Sequence, residues 1–303
     1  MPSVPRHLEL HPPLVNGSGL LCFLEVFQHL DRQRAALGGY VTKSIGPEGR
    51  PGNVAPVVYD TGHVMLNSLA LPTQPIESWI EDFRSLPVQK PVIGSVYGNR
   101  VEEWPEVISR VEAYVAGIEL NLGCPNYVPG ETSLMTVVGD SPAMMREVVG
   151  LARAATAKPL IAKLSPNTDY LAAARIALDA GADYLGCGNT AGPGLAIDIE
   201  AARPVLSGIS GGLSGDAMRP VNVKMVYDIY REFRAPILAY GGVSTWRDAV
   251  EYLMAGACIV GLGTCFAYRS TRQMARLTRQ IWEGMQRFAG SRDVTHLVGA
   301  AHV

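Results

Sequence analysis

The chain has 303 residues, 48% of them hydrophobic and 18% charged, which is the make-up of a globular protein with a large core and excludes disorder over most of its length. Its 26 basic and 28 acidic side chains leave a formal net charge of -2 with no long run of either sign, so no nucleic-acid surface is expected and a small neutral or modestly charged ligand is the better match. No stretch approaches the roughly 18 apolar residues of a membrane span, and residues 1–15 lack the apolar run of an export signal, so a soluble cytoplasmic protein with no membrane partner is expected.

From about residue 12, short apolar runs alternate with longer stretches of helical periodicity, the pattern of βα units around a parallel sheet. The candidate strands are 13–16, 39–43, 91–96, 117–121, 159–163, 183–187, 236–240 and 258–262. Their nearly continuous hydrophobicity implies burial on both faces, and eight of them predict an α/β chain, 1–303, folded as one TIM (β/α)8-barrel domain. Between the third and fourth, Trp104, Val107, Ile108, Val111 and Tyr114 recur at three- and four-residue intervals and mark a helix face that packs on the barrel. Ser141 before Pro142 reads as a helix cap followed by a first-turn proline, and Thr245 with Asp248 as a capping box. Two connections, 44–76 and 125–141, are too long for simple turns and begin where strands end, which is where function concentrates.

Barrel active sites sit at the C-terminal ends of the strands. Here those ends are polar or glycine-rich: Ser18-Gly19, Lys43-Ser44, Asn121 with Cys124, Lys163, Asn189-Thr190, Gly241-Gly242 and Gly263-Thr264. An ammonium group at the end of a buried strand is costly to desolvate unless an anion or polar ligand faces it, so Lys43 and Lys163 predict a ligand. Gly241-Gly242 and Gly263-Thr264, after the seventh and eighth strands, match the phosphate cradle of barrels; the alternative is that these glycines only make tight βα turns.

Five cysteines, Cys22, Cys124, Cys187, Cys258 and Cys265, are widely spaced without a Cys-x-x-Cys pair, and none of the six histidines has a partner at ligand spacing, so no metal is expected. Cys124 follows a strand-end Asn121 and precedes Pro125, which reads as a rim thiol able to accept a proton; the alternative is an inert buried cysteine. Cys187 is its rival, although Gly186 and Gly188 beside it suggest a close backbone approach to a ligand. Cys22, Cys258 and Cys265 read as structural.

Taken as a set, Val41-Thr42-Lys43-Ser44, Arg50-Pro51-Gly52-Asn53, Asn67-Ser68-Leu69-Ala70-Leu71, Glu119-Leu120-Asn121-Leu122-Gly123-Cys124-Pro125-Asn126, Lys163-Leu164-Ser165-Pro166-Asn167, Asn189-Thr190 and Gly211-Gly212-Leu213-Ser214-Gly215 resemble the dihydroorotate dehydrogenase family. Gly241-Gly242-Val243-Ser244-Thr245 and Gly263-Thr264 complete the resemblance, which covers nearly the whole barrel. It implies an FMN-dependent barrel flavoprotein that oxidises dihydroorotate to orotate in pyrimidine biosynthesis. FMN would be held by Ser18, Gly19, Lys43, Ser44, Asn121, Lys163, Gly215, Gly241, Gly242, Gly263 and Thr264. The dihydropyrimidine would be gripped by Lys43, Asn67, Leu69, Leu71, Asn121, Asn126, Asn189 and Thr190, with Cys124 as general base and Lys43 also catalytic. A planar ring of amides with one carboxylate needs alternating donors and acceptors plus a cation, and these residues supply them.

A cysteine base resembles the soluble branch of the family. Ala196-Ile197-Asp198-Ile199 with 211–215 resembles its subgroup of catalytic subunits that pass electrons to a separate FAD and iron-sulfur subunit using NAD. The resemblance therefore implies that partner, and a homodimer or higher oligomer. The chain departs from the family pattern at Gly123, where serine is frequent, at Ala70, where glycine is usual, at Gly186-Cys187-Gly188 and across 127–132. Alternatives left open are a flavin enzyme acting on another dihydropyrimidine such as dihydrouracil, a flavin-free phosphate-binding lyase or isomerase, and a non-catalytic flavoprotein or interaction subunit.

Overall fold

The computed structural model describes residues 6–123, 138–139, 141–290 and 292–302. Eight strands form a parallel sheet: β1 (Leu14–Asn16), β2 (Tyr40–Val41), β5 (Val92–Val96), β6 (Gly117–Asn121), β7 (Leu160–Leu164), β8 (Tyr184–Cys187), β13 (Ile237–Tyr240) and β14 (Ile259–Leu262). Each falls inside or within one residue of an expected run, and their order around the sheet is β1-β14-β13-β8-β7-β6-β5-β2. Among the described residues eight helices follow them in turn: α1 (Leu24–Arg32), α2 (Ile76–Ser85), α3 (Glu103–Val111), α4 (Pro142–Ala155), α5 (Tyr170–Asp179), α6 (Arg219–Phe233), α7 (Trp246–Ala255) and α8 (Thr271–Ala289).

Alternation along each strand divides the core in two. Val15, Val41, Ile93, Ile161, Tyr184, Leu238, Tyr240 and Ile259 point inward and fill the barrel, with Leu8 and Leu10 packed against them. Their chain neighbours, among them Leu14, Leu160, Leu185, Ile237 and Val260, point outward into the layer shared with the helices. Trp104, Val107, Ile108 and Val111 are buried on α3 as expected. Tyr114 falls beyond that helix in a 3-10 turn and stacks on Phe83 of α2, with ring centres 5.6 Å apart. The Ser141 cap forms, its side chain accepting from the amide of Met144, and the Thr245–Asp248 capping box is complete.

The outer strands β1 and β2 meet without a backbone ladder. The buried Asn16 side chain takes its place: its Oδ1 accepts from the Val41 amide at 2.9 Å and its Nδ2 donates to the Val41 carbonyl at 2.7 Å. One carboxamide thus supplies the donor and acceptor that a strand neighbour would have offered.

The sequence reading lacked a second layer over the C-terminal rim. The 44–76 connection carries β3 (Val58–Asp60) and β4 (Met65–Asn67), and the segment after β8 carries β9 (Ala191–Gly194), β10 (Ile197–Asp198), β11 (Arg203–Pro204) and β12 (Gly211–Ser214). β3, β4, β12 and β9 pair in that order as an antiparallel sheet, while β10 and β11 form a separate two-stranded ribbon.

Candidate active site

A cavity opens between the barrel rim and the antiparallel sheet. Gly17 to Leu20, Lys43, Ser44, Asn121, Lys163, Gly188 to Thr190, Tyr240, Gly241, Gly261, Gly263 and Thr264 line it from the barrel, and Val58, Met65, Asn67, Leu213 and Ser214 from the sheet above. Leu69 and Leu71 border it from the turn after β4, where Ala70 and Leu71 have φ of 55° and 53°. That left-handed conformation favours glycine, so the alanine at 70 is strained where a glycine would not be.

Amides and hydroxyls join hands across this floor. Asn189 Nδ2 donates to Asn121 Oδ1 at 3.2 Å, and Asn121 Nδ2 donates to Ser44 Oγ at 3.0 Å. Ser44 and Ser95 share a hydrogen bond of 3.2 Å, and Asn189 Oδ1 accepts from the Thr190 amide at 2.9 Å. Each end of β2, β6 and β8 therefore holds its neighbour's polar group in one orientation. Lys43 is 4% exposed at the same rim, with its ammonium group turned toward Gly19.

Lys163 has an anion of its own. Its Nζ donates to Ser18 Oγ at 2.8 Å, lies 3.6 Å from Glu119 Oε1 and stands 4.4 Å from the centre of the Tyr240 ring. Tyr240 donates its hydroxyl to the other oxygen of Glu119. Burial first, and then the Glu119 charge, push the Tyr240 hydroxyl far above the ordinary phenol range, so it stays a donor. This corrects part of the sequence argument: the charge of Lys163 is balanced within the barrel and does not by itself demand a ligand.

At the other end of the cavity, Gly241 has φ of 103° and a Cβ there would come within 2.2 Å of Asn222 Nδ2. A Cβ on Gly263 would meet nothing within 4 Å, so backbone there faces open space. Gly242 also has a left-handed φ, 72°, but backs onto Arg219 and does not line the cavity. Gly215, φ 106°, turns the chain from β12 into a 3-10 turn beside His63 and Val64, next to the cavity-lining Ser214. Arg219 ties this corner together: it pairs with Asp248 of the α7 cap and with Glu251 at 3.0 Å.

Of the expected site residues, Ser18, Gly19, Lys43, Ser44, Asn67, Leu69, Leu71, Asn121, Lys163, Asn189, Thr190, Gly241, Gly263 and Thr264 meet in this one cavity. Cys124 and Asn126 lie outside the described residues. Cys187 is fully buried and does not line the cavity, and burial drives its thiol well above the ordinary range, which removes it as a rival base. Its glycine neighbours do approach something closely, but that something is protein: a Cβ at 186 would meet Lys163 Cα at 3.0 Å, and one at 188 the Tyr240 carbonyl at 2.2 Å. Sequence reasoning missed Met65, Leu213, Met218, Asn222 and Tyr240, which line the cavity. The inward phase of Tyr240 at the end of a strand run was the available signal for one of them. Among the described residues no group of His, Cys, Asp and Glu could hold a metal ion.

The family model for dihydroorotate dehydrogenase matches residues 4–285. The chain is 38% identical, over 97% of its length and 95% of the relative's, to the protein of Pelobacter propionicus named dihydroorotate dehydrogenase B (NAD(+)), catalytic subunit. It is 35% identical to the protein of the same name from Methanothermobacter thermautotrophicus, over 98% and 96% of the two chains. In fold it is similar to a dihydroorotate dehydrogenase of Eimeria tenella solved with ferulenol, with a TM-score of 0.80, 20% identity and 97% and 86% coverage. The chain belongs to the dihydroorotate dehydrogenase family, on the branch of the NAD-linked catalytic subunits.

Proposed function

We propose that the protein oxidises dihydroorotate to orotate in pyrimidine biosynthesis, using FMN, as the catalytic subunit of an assembly whose separate FAD and iron-sulfur subunit passes electrons to NAD. The observation that carries this reading is the convergence of Lys43, Asn67, Asn121, Asn189 and Thr190 with Lys163, Gly241 and Gly263 on one cavity. A ring bearing amides and a carboxylate finds there a cation and a set of carboxamides held in fixed orientation.

The cavity suits FMN on its own chemistry. Gly263 leaves open space where a side chain would intrude, Gly241 brings backbone to the cavity wall, and the neighbouring Asn222 holds an enclosed Oδ1 without a hydrogen-bond partner among the described residues. Ser18, Ser44 and Lys163 would hold the flavin ring, and Gly241, Gly263 and Thr264 its phosphate, with Gly242 shaping the turn behind them. The chemistry that the flavin supplies when bound is acceptance of a hydride from the substrate carbon.

This chain's residues do the rest. Lys43 meets the substrate carboxylate, and Asn67, Asn121 and Asn189 orient the ring. Cys124, as thiolate, takes the proton from the carbon beside the ring carbonyl, which leaves the electron pair to form the new double bond as hydride departs from the adjacent carbon. The five cysteines contain no Cys-x-x-Cys pair for a cluster, in keeping with an iron-sulfur group on another subunit. No helix among the described residues is long and apolar enough to cross a membrane, and a cytoplasmic setting agrees with a substrate of central metabolism.

Anaerobic mixing of the purified protein with dihydroorotate tests the reading: the flavin absorbance should bleach, and dihydrouracil, which has no carboxylate for Lys43, should bleach it far more slowly. Equal bleaching by dihydrouracil would overturn the substrate, and a colourless protein that takes up no FMN would overturn the flavin.

A further inference from the structure

Asn222 is the fourth residue of α6 and is only 2% exposed, yet among the described residues its Oδ1 has no hydrogen-bond partner. It lines the cavity between two glycines: a Cβ at 241 would stand 2.2 Å from its Nδ2, and one at 188 would stand 3.3 Å from its Cγ. A buried carboxamide has given up its bonds to water, and packing alone gives no reason to place one here, since an apolar side chain would fill space with nothing to satisfy. The side chain lines the cavity while its Oδ1 is enclosed, so the amide as a whole, in either orientation, is a demand for a ligand atom.

Its chemistry narrows the choice. A carboxamide presents an acceptor on one side and a donor on the other, and half a turn about its last bond exchanges them. A phosphate oxygen only accepts, so it can meet the amide nitrogen and never the oxygen, whereas a hydroxyl, which both donates and accepts, can meet whichever of the two the amide turns to the cavity. Along the cavity Asn222 stands between Gly188, which leads into Asn189 and Thr190, and Gly241, at the glycine-rich end. The part of a flavin nucleotide lying between ring and phosphate is its chain of hydroxyls.

We infer that Asn222 is a cofactor-binding residue that hydrogen-bonds a hydroxyl of the flavin's polyol chain, an inference that rests on the flavin reading above. The bare position Gly241 is the room this amide requires.

The test is titration of apoprotein with FMN, riboflavin and lumiflavin, followed by flavin fluorescence, for wild type, Asn222→Ala and Asn222→Leu. The substitutions should weaken FMN and riboflavin alike by about tenfold, the loss of one hydrogen bond to a buried polar group, and leave lumiflavin, which lacks the polyol, unchanged. The thermal midpoint of the apoprotein should hold or rise, because an unpaired buried polar group has been removed; a role confined to supporting the fold would lower it. Unchanged FMN affinity in both variants would overturn the inference while leaving the flavin reading intact. So would a loss for FMN without a loss for riboflavin, which would assign Asn222 to the phosphate, or an equal loss for lumiflavin, which would mean general distortion. Wild-type protein that binds none of the three flavins would overturn the flavin reading itself. Asn222→Leu, with the same number and branching of side-chain heavy atoms, keeps the test open if the alanine variant does not fold.

Discussion

Glu119 and Lys163 stand on adjacent strands with Oε1 and Nζ 3.6 Å apart, both buried, the carboxylate completely so. Oε1 makes no hydrogen bond among the described residues, so the lysine charge is its chief compensation, while Tyr240 holds Oε2. Replacing Lys163 with Ala leaves a charge inside the barrel without its counter-ion, and the apoprotein should lose about 3–5 kcal/mol of stability. Adding Glu119→Gln should restore part of it. Urea unfolding of both variants checks this, and wild-type stability in Lys163→Ala would refute the coupling.

Cys124→Ala should retain FMN and slow the reductive half-reaction by roughly 10²- to 10⁴-fold, the usual loss when a general base is removed. In the wild type that step should accelerate as pH rises toward the thiol range, roughly 8.5, because the thiolate alone accepts the proton. Stopped-flow bleaching across pH 6–9 measures both, and a flat profile would refute the assignment.

Three other thiols, Cys187, Cys258 and Cys265, separate cleanly from a reactive one. Burial pushes Cys258 up to about 11 and Cys265 up to about 12, and drives Cys187 higher still. At pH 8 each should react with iodoacetamide at least roughly a hundredfold more slowly than an unfolded thiol, as peptide mapping by mass would show. The sign for stability follows: these groups are held neutral in the fold and ionise near roughly 8.5 when unfolded, so their contribution is complete below that pH and is lost as pH rises through the folded values. The urea midpoint should accordingly fall between pH 8 and 10, and less so in Cys187→Ala than in wild type.

Asn16→Leu should be severely destabilising. It orphans the amide and the carbonyl of Val41 together, at about 1–3 kcal/mol for each buried group left unpaired. Asn16→Asp keeps the acceptor for the Val41 amide but places a charge against its carbonyl, and should not rescue the loss. Denaturant titration ranks the three proteins; an Asn16→Leu midpoint near wild type would show that the barrel closes without the side-chain bridge.

The eight barrel strands were legible in the sequence because a parallel strand buried on both faces must be apolar almost throughout, as in Leu160–Leu164 and Ile259–Leu262. Polar strand ends such as Lys43, Asn121 and Asn189 were legible for the converse reason: each breaks such a run where packing alone would have continued it. The antiparallel sheet over the rim was not legible. Val58–Asp60 is exposed along its length, and β9 reads Ala-Gly-Pro-Gly, so neither shows the alternation that announces a strand; they pair only because β4 and β12 offer edges. Relations between distant segments lay equally beyond sequence, including Asn16 bridging to Val41, Glu119 set beneath Lys163 and Asn222 beside Gly241. The barrel, its working rim and the family could be read from the order of residues, because burial and local spacing carry that information. Which buried polar atoms find a protein partner and which are enclosed without one is settled only in three dimensions, because a hydrogen-bond partner is a neighbour in space and leaves no mark on the order of residues.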